Sequence, residues 1–298
     1  MKRRGNYKIL GKYTWYAPGI GGMFALLAWL LAGAFFGGIV SMLLGAAFGQ
    51  DFIKEYSELI AYPLMFIPPM IYASSKSGAN AMSSHGWKLD SSHFAPLGAA
   101  LCVLLCLAGV FAVGFWTDGI VSLLPEMPQV LKDALTELTS GKIWANFLAV
   151  SIFAPFFEEW LCRGMVLRGL LVRTKLGPVW SIVISAAFFA LIHMNPWQAI
   201  PAFLIGCLLG IVYYRTGSLK LTMLMHFANN TLALVLGHVD SLKDMESWTD
   251  IMPAQQYWVL AAACFLLTVL VALEFRKVKL LKPEGNIDEV PSLFETEQ

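Results

Sequence analysis

The feature that most restricts this chain is the run from Ile20 to Phe48, which contains no ionisable side chain. A helix rises 1.5 Å per residue, so about 20 apolar residues cross the hydrocarbon of a bilayer. Only a helix or a closed barrel satisfies backbone polar groups there. Further apolar runs follow at roughly 59–73, 96–116, 143–172, 179–193, 197–214, 219–237 and 254–273. With 57% hydrophobic and only 14% charged residues, the composition lies outside the soluble range. The expected fold is an all-α polytopic membrane protein with about eight transmembrane helices. Pro63, Pro68 and Pro69 are expected to kink or break the second run. Between 117 and 142, Val121, Leu124, Val130, Leu131, Ala134 and Leu135 suggest an amphipathic interfacial helix. The basic start mimics a signal peptide, but its apolar run is too long for one, so an uncleaved first span is expected. The polar tail is expected to be disordered after Pro283.

Three stretches organise the chain: membrane helices and the interfacial helix over 1–142, a helical core over 143–237, and a last span with its tail over 238–298. The net charge of +1 says little, because the charges are segregated. With a cytoplasmic N-terminus, Lys54, Lys132, Lys142 and Lys243 are the only four of 21 basic residues on the far side. That bias follows the positive-inside rule and puts both termini in the cytoplasm, the inner membrane of a cell or its equivalent being the location. The lipid bilayer is the expected partner, and nucleic acid is not. Cys102, Cys106, Cys162, Cys207 and Cys264 lie in or beside apolar runs at no zinc-ligand spacing, and read as free thiols.

Charge inside the apolar runs is concentrated at Glu158-Glu159, and an ionisable residue there is a functional hypothesis with a partner to be named. Glu159 and Arg163 are four apart, share a helical face and can pair. Glu158 points about 100° away and is expected to be left free. His193 ends the fifth run, and His226 and Asn230, four apart, share a face of the seventh. Positions 158 and 193 are equidistant from the turn before Gly177-Pro178, so an antiparallel hairpin would put them level. Three readings are open on these residues. Glu158 can be a general base for water, with His193 holding that water or moving its proton and His226 and Asn230 donating to an oxyanion. Glu158, His193 and His226 can instead hold zinc with one open position. Or the same groups can relay protons or ions in a transporter.

Taken in order, Glu158-Glu159-Trp160-Leu161-Cys162-Arg163 with Gly164, Phe189 to His193, and His226 to Asn230 resemble the motifs of the CPBP intramembrane proteases. That family includes the type II CAAX prenyl endopeptidases. The connector from Gly206 and Gly210 through Tyr213, Tyr214 and Arg215-Thr216-Gly217-Ser218-Leu219 is also similar. Cys162 departs from the pattern, which usually has an aromatic residue there. The resemblance implies eight helices around a conical intramembrane cavity open to the cytosol. It implies that Glu158 and His193 activate water, that His226 and Asn230 form the oxyanion site, and that Glu159 and Arg163 support them. No cofactor is favoured, because Asn230 is not a preferred zinc ligand and no compact zinc motif exists; zinc on Glu158, His193 and His226 is the alternative. The implied substrate is a peptide or lipidated protein. A non-proteolytic transporter or bacteriocin-immunity protein is the competing function.

Overall fold

The computed structural model describes residues 8–81, 86–133, 141–239, 245 and 247–280. Regular structure among them is entirely helical. After a single turn at Lys8–Gly11, the main helices are α1 (Ile20–Phe48), α2 (Gln50–Asn80), α3 (Ala99–Val121), α4 (Ile143–Arg173), α5 (Gly177–Leu191), α6 (Pro196–Thr216), α7 (Leu219–Leu236) and α8 (Ala254–Phe275). Six of them are long and apolar enough to cross a membrane. By length and composition, six and not the expected eight meet that measure among the described residues. α5 has 15 residues, short of a full crossing. α2 has 31, but Asp51, Lys54, Glu55 and Glu58 occupy its first turns. Phe24, Phe35, Met42 and Leu43 on α1 and Leu266 and Leu270 on α8 are exposed, a surface suited to lipid and not to water. The chain is an integral membrane protein by these features.

Of the described residues, those up to Asp90 and from Pro128 to Lys175 form one compact unit; those from Ser91 to Met127 and from Leu176 onward form a second. The 143–237 core thus contributes to both.

In the first unit α1 packs along α2. The crossing rests on Gly33 and Gly37, both buried and one turn apart. A Cβ on Gly33 would lie 2.1 Å from the Met65 carbonyl oxygen, and one on Gly37 3.2 Å from that of Ala61. Small residues at this spacing let two backbones approach closely. The same contact explains why α2, expected to kink or break at its prolines, runs on without a break. Pro69 cannot donate to the carbonyl four residues back, which is that of Met65. Gly33 sits on that atom, so the neighbouring helix covers what the proline exposes.

α4 is helical throughout but wound more loosely on either side of Ala154–Glu159. Before that stretch, the Ala154 N–H donates to the Ala149 carbonyl, five residues back; after it, the Arg168 N–H reaches the Arg163 carbonyl at the same separation. Pro155, which has no N–H, removes the ordinary partner of the Ser151 carbonyl and favours the wider turn. Residues 158–170 are buried without interruption. Arg168, a charge next to an apolar run, is only 5% exposed. Its guanidinium donates to the backbone carbonyls of Gly164 (2.7 Å), Tyr13 (3.3 Å), Tyr16 (2.5 Å) and Trp87. Five fixed N–H donors suit a site built from carbonyls. Tyr13 itself is fully buried against Trp160, ring centroids 5.1 Å apart.

In the second unit α3 packs with α6, α7 and α8, and α5 lies on α6. That last crossing again uses glycines one turn apart: a Cβ on Gly210 would meet Ile182 at 2.8 Å, and one on Gly206 would meet Ala186 and Phe189 at 3.2–3.3 Å. Arg215 repeats the device of Arg168, donating to the carbonyls of Phe275 (3.1 Å), Val278 (2.7 Å) and Arg276 at the end of α8. The expected turn at Thr216-Gly217-Ser218 is held by Ser91 and His93, whose N–H groups donate to Gly217 and Thr216. Residues 117–121, placed by the sequence in an interfacial helix, belong to α3. Residues 129–133 are helical, while Ala134 and Leu135 and the tail after Pro283 lie outside the described residues. Asp118, near the end of α3, accepts from Ser247 Oγ (2.8 Å) and the Trp248 N–H (3.2 Å). All five cysteines carry free thiols, with Cys102, Cys106 and Cys162 buried.

Candidate active site

Glu158 and Glu159 close the tightly wound stretch of α4, so consecutive carboxylates leave the helix on different faces. Arg163 Nη1 donates to Glu159 Oε1 at 2.7 Å, and neither side chain has any exposed surface. The pair read from the four-residue spacing exists. Glu158 is 8% exposed, and it is not left free as expected. The Tyr62 hydroxyl, from α2, donates to its Oε1. Behind Tyr62 stands a column of rings: Phe66 lies 5.5 Å from Tyr62 and stacks on Phe157 at 5.0 Å and 14°. Glu158 thus has its neighbour in sequence, Phe157, wedged against the helix that supplies its donor.

The remaining candidates lie in the second unit. His193 follows the end of α5, and its Nδ1 is 2.8 Å from the Phe189 carbonyl oxygen. A carbonyl only accepts, so Nδ1 carries a proton, and when the ring is neutral its lone pair is on Nε2. The next residue, Met194, has φ 51°, a left-handed conformation uncommon for a residue with a side chain. It turns the chain directly into Asn195, whose side chain caps α6 by accepting from the Trp197 N–H at 3.0 Å. His226 on α7 is 4% exposed. Both imidazoles pack edge-to-face on Phe189, with centroids 4.9 Å away for His193 and 5.4 Å for His226. Asn230, one turn beyond His226, accepts from the Asn229 amide at 3.1 Å.

The structure therefore brings together Glu158, Glu159 and Arg163 on one helix, and His193 with His226 about one phenyl ring. Reading the sequence missed Tyr62 and the joint role of Phe189. A phenol hydroxyl in the apolar run around Pro63 was a signal, since a buried Tyr O–H needs a partner. Among the described residues, no three His, Cys, Asp or Glu side chains are grouped as metal ligands. His85 lies outside the described residues, and His238 bonds through Nδ1 to the Leu234 carbonyl at 2.8 Å.

Residues 140–232 match the family model described as type II CAAX prenyl endopeptidase Rce1-like. That segment contains all six candidate residues and bears out the CPBP resemblance. An uncharacterized 24.3 kDa protein of Escherichia coli is 28% identical over 131 residues, which cover 43% of this chain and 60% of that protein. The chain thus spans less than two thirds of the curated relative's length. No solved structure matches it.

Proposed function

We propose that this chain, whose residues 140–232 carry the Rce1-like segment, is an intramembrane endopeptidase that hydrolyses peptide bonds with water activated by Glu158. The observation that carries the reading is the buried carboxylate pair of α4, in which each member has a different partner. Glu159 is ion-paired with Arg163 and Glu158 accepts from the Tyr62 hydroxyl, and the proton exchange is assigned to Glu158. Glu158 takes a proton from water as the oxygen attacks the scissile carbonyl carbon. His226 and Asn230 donate to the oxyanion that forms, an interaction strongest where water is scarce. The C–N bond then breaks as the proton passes to the departing amine. His193, with Nδ1 anchored on Phe189, offers Nε2 to hold the water or move that proton. Glu159 and Arg163 touch neither water nor substrate and fix the helix.

The proposed substrate is a membrane-associated peptide or a prenylated protein, the latter following from the description of the matched family. The proposed setting is a cell inner membrane with the site open to the cytosol. The mechanism proposed needs no metal, so cleavage should survive chelation. The decisive experiment compares peptide termini in membranes carrying wild type, Glu158→Ala or Glu158→Gln. Termini present with wild type should fall by roughly 10²–10⁴-fold with Glu158→Gln. A purified wild-type protein that moves ions or protons in liposomes and cuts nothing would reverse the reading in favour of a transporter.

A further inference from the structure

We infer that Tyr62 is a positioning residue for the Glu158 carboxylate. Its catalytic consequence rests on the peptidase reading above. The two residues are 96 positions apart, and the contact exists only because α2 lies against α4. A carboxylate turns readily about its terminal bond, which has broad, roughly two-fold preferences. A donor on one oxygen fixes the plane of the group and so the direction in which it meets a water. The donor is itself fixed. Tyr62 packs on Phe66, which is fully buried and stacked on Phe157, the residue preceding Glu158. The α2 backbone is set in turn by the Gly33 and Gly37 contacts with Met65 and Ala61, which bracket Tyr62. The chain from apolar glycines to aligned carboxylate is continuous: two bare backbones, one helix turn, one phenol, one oxygen.

A general base must sit within hydrogen-bond reach of the proton it takes, and misplacement on the order of 1 Å can lower a rate by about 100-fold. Tyr62→Phe removes only the hydroxyl and keeps the ring column. With a farnesylated peptide ending in a CAAX-type tetrapeptide as probe, kcat should fall roughly 10- to 100-fold while KM stays at the wild-type value. In a Glu158→Gln background, the same change should cost nothing further, since the group it orients is gone. A purely structural Tyr62 would instead lower stability in both backgrounds. Infrared difference spectra give a readout that needs no turnover: subtracting Glu158→Gln from wild type isolates the Glu158 carboxylate band, and Tyr62→Phe should displace it. A wild-type kcat in Tyr62→Phe, or an unmoved band, overturns the inference. If nothing is cleaved but the band moves, the positioning stands and the peptidase reading fails.

Discussion

Arg163 and Glu159 lose all contact with the exterior and meet at 2.7 Å. Taking two charges out of water is costly, and removing one partner leaves the other buried without its counter-charge. Arg163→Ala should therefore lower stability by about 3–5 kcal/mol and reduce cleavage with it. Arg163→Lys should be milder yet still below wild type, because an ammonium on a flexible stem does not reproduce a planar guanidinium. Thermal unfolding in detergent, run beside cleavage, separates these outcomes; an Arg163→Ala protein as stable and active as wild type would refute the ion-pair argument. The pair was legible in the sequence because four residues return a helix to the same face. Tyr62 was not, because nothing local to Glu158 announces a donor 96 residues away. The burial of Arg168 was equally invisible in the sequence. Its partners are carbonyls, and backbone atoms leave no trace in composition.

Both helix pairs next to the candidate residues, α1 with α2 and α5 with α6, cross on glycines one turn apart. The first crossing sets the turn that bears Tyr62, and the second sets Phe189, which both imidazoles touch. Gly33→Ala tests the first. The added methyl would meet the Met65 carbonyl at 2.1 Å, and a backbone atom cannot swing aside, so the two helices must part. A loss of about 1–3 kcal/mol is expected, with reduced cleavage through Tyr62. Gly38→Ala is the matched control, since a Cβ there meets nothing within 4 Å. Equal unfolding temperatures for the two variants would remove the crossing from the account. At this scale the sequence was partly legible. Apolar runs located the helices, and the break after Arg173 fell where Gly177-Pro178 placed it. The prolines of α2 misled, because a lone helix breaks where a packed one is covered. The wide turns of α4 add one residue to a turn without altering an already apolar pattern, so periodicity could not show them.

Six crossings or eight, the number is even, so the proposed cytoplasmic placement of both termini survives either count, while the proposed cytosolic side for the α4–α5 hairpin requires α2 to cross as well. Single cysteines at positions 8 and 279, in a protein lacking its five native ones, should resist an impermeant maleimide applied to intact cells. Labelling at either position would overturn the orientation, and with it the proposed opening of the site to the cytosol. Arg168 and Arg215, enclosed by backbone carbonyls, present no exposed charge to that bias. The enclosure of Arg168 also imposes an order in time. Its guanidinium holds the carbonyls of Tyr13 and Tyr16, and Tyr13 leaves the ribosome 155 residues before it. At about 5–20 residues per second, the start of the chain waits roughly 10–30 s for the side chain that will fasten it. During that interval α2 can already hold part of the segment, since Ser77 accepts from the Trp15 N–H, Asn80 donates to the Trp15 carbonyl and Tyr72 packs on Tyr16. The segment is thus secured in two stages, and a nascent chain stalled before Arg168 would be held by α2 alone, with the Tyr13 and Tyr16 carbonyls still open.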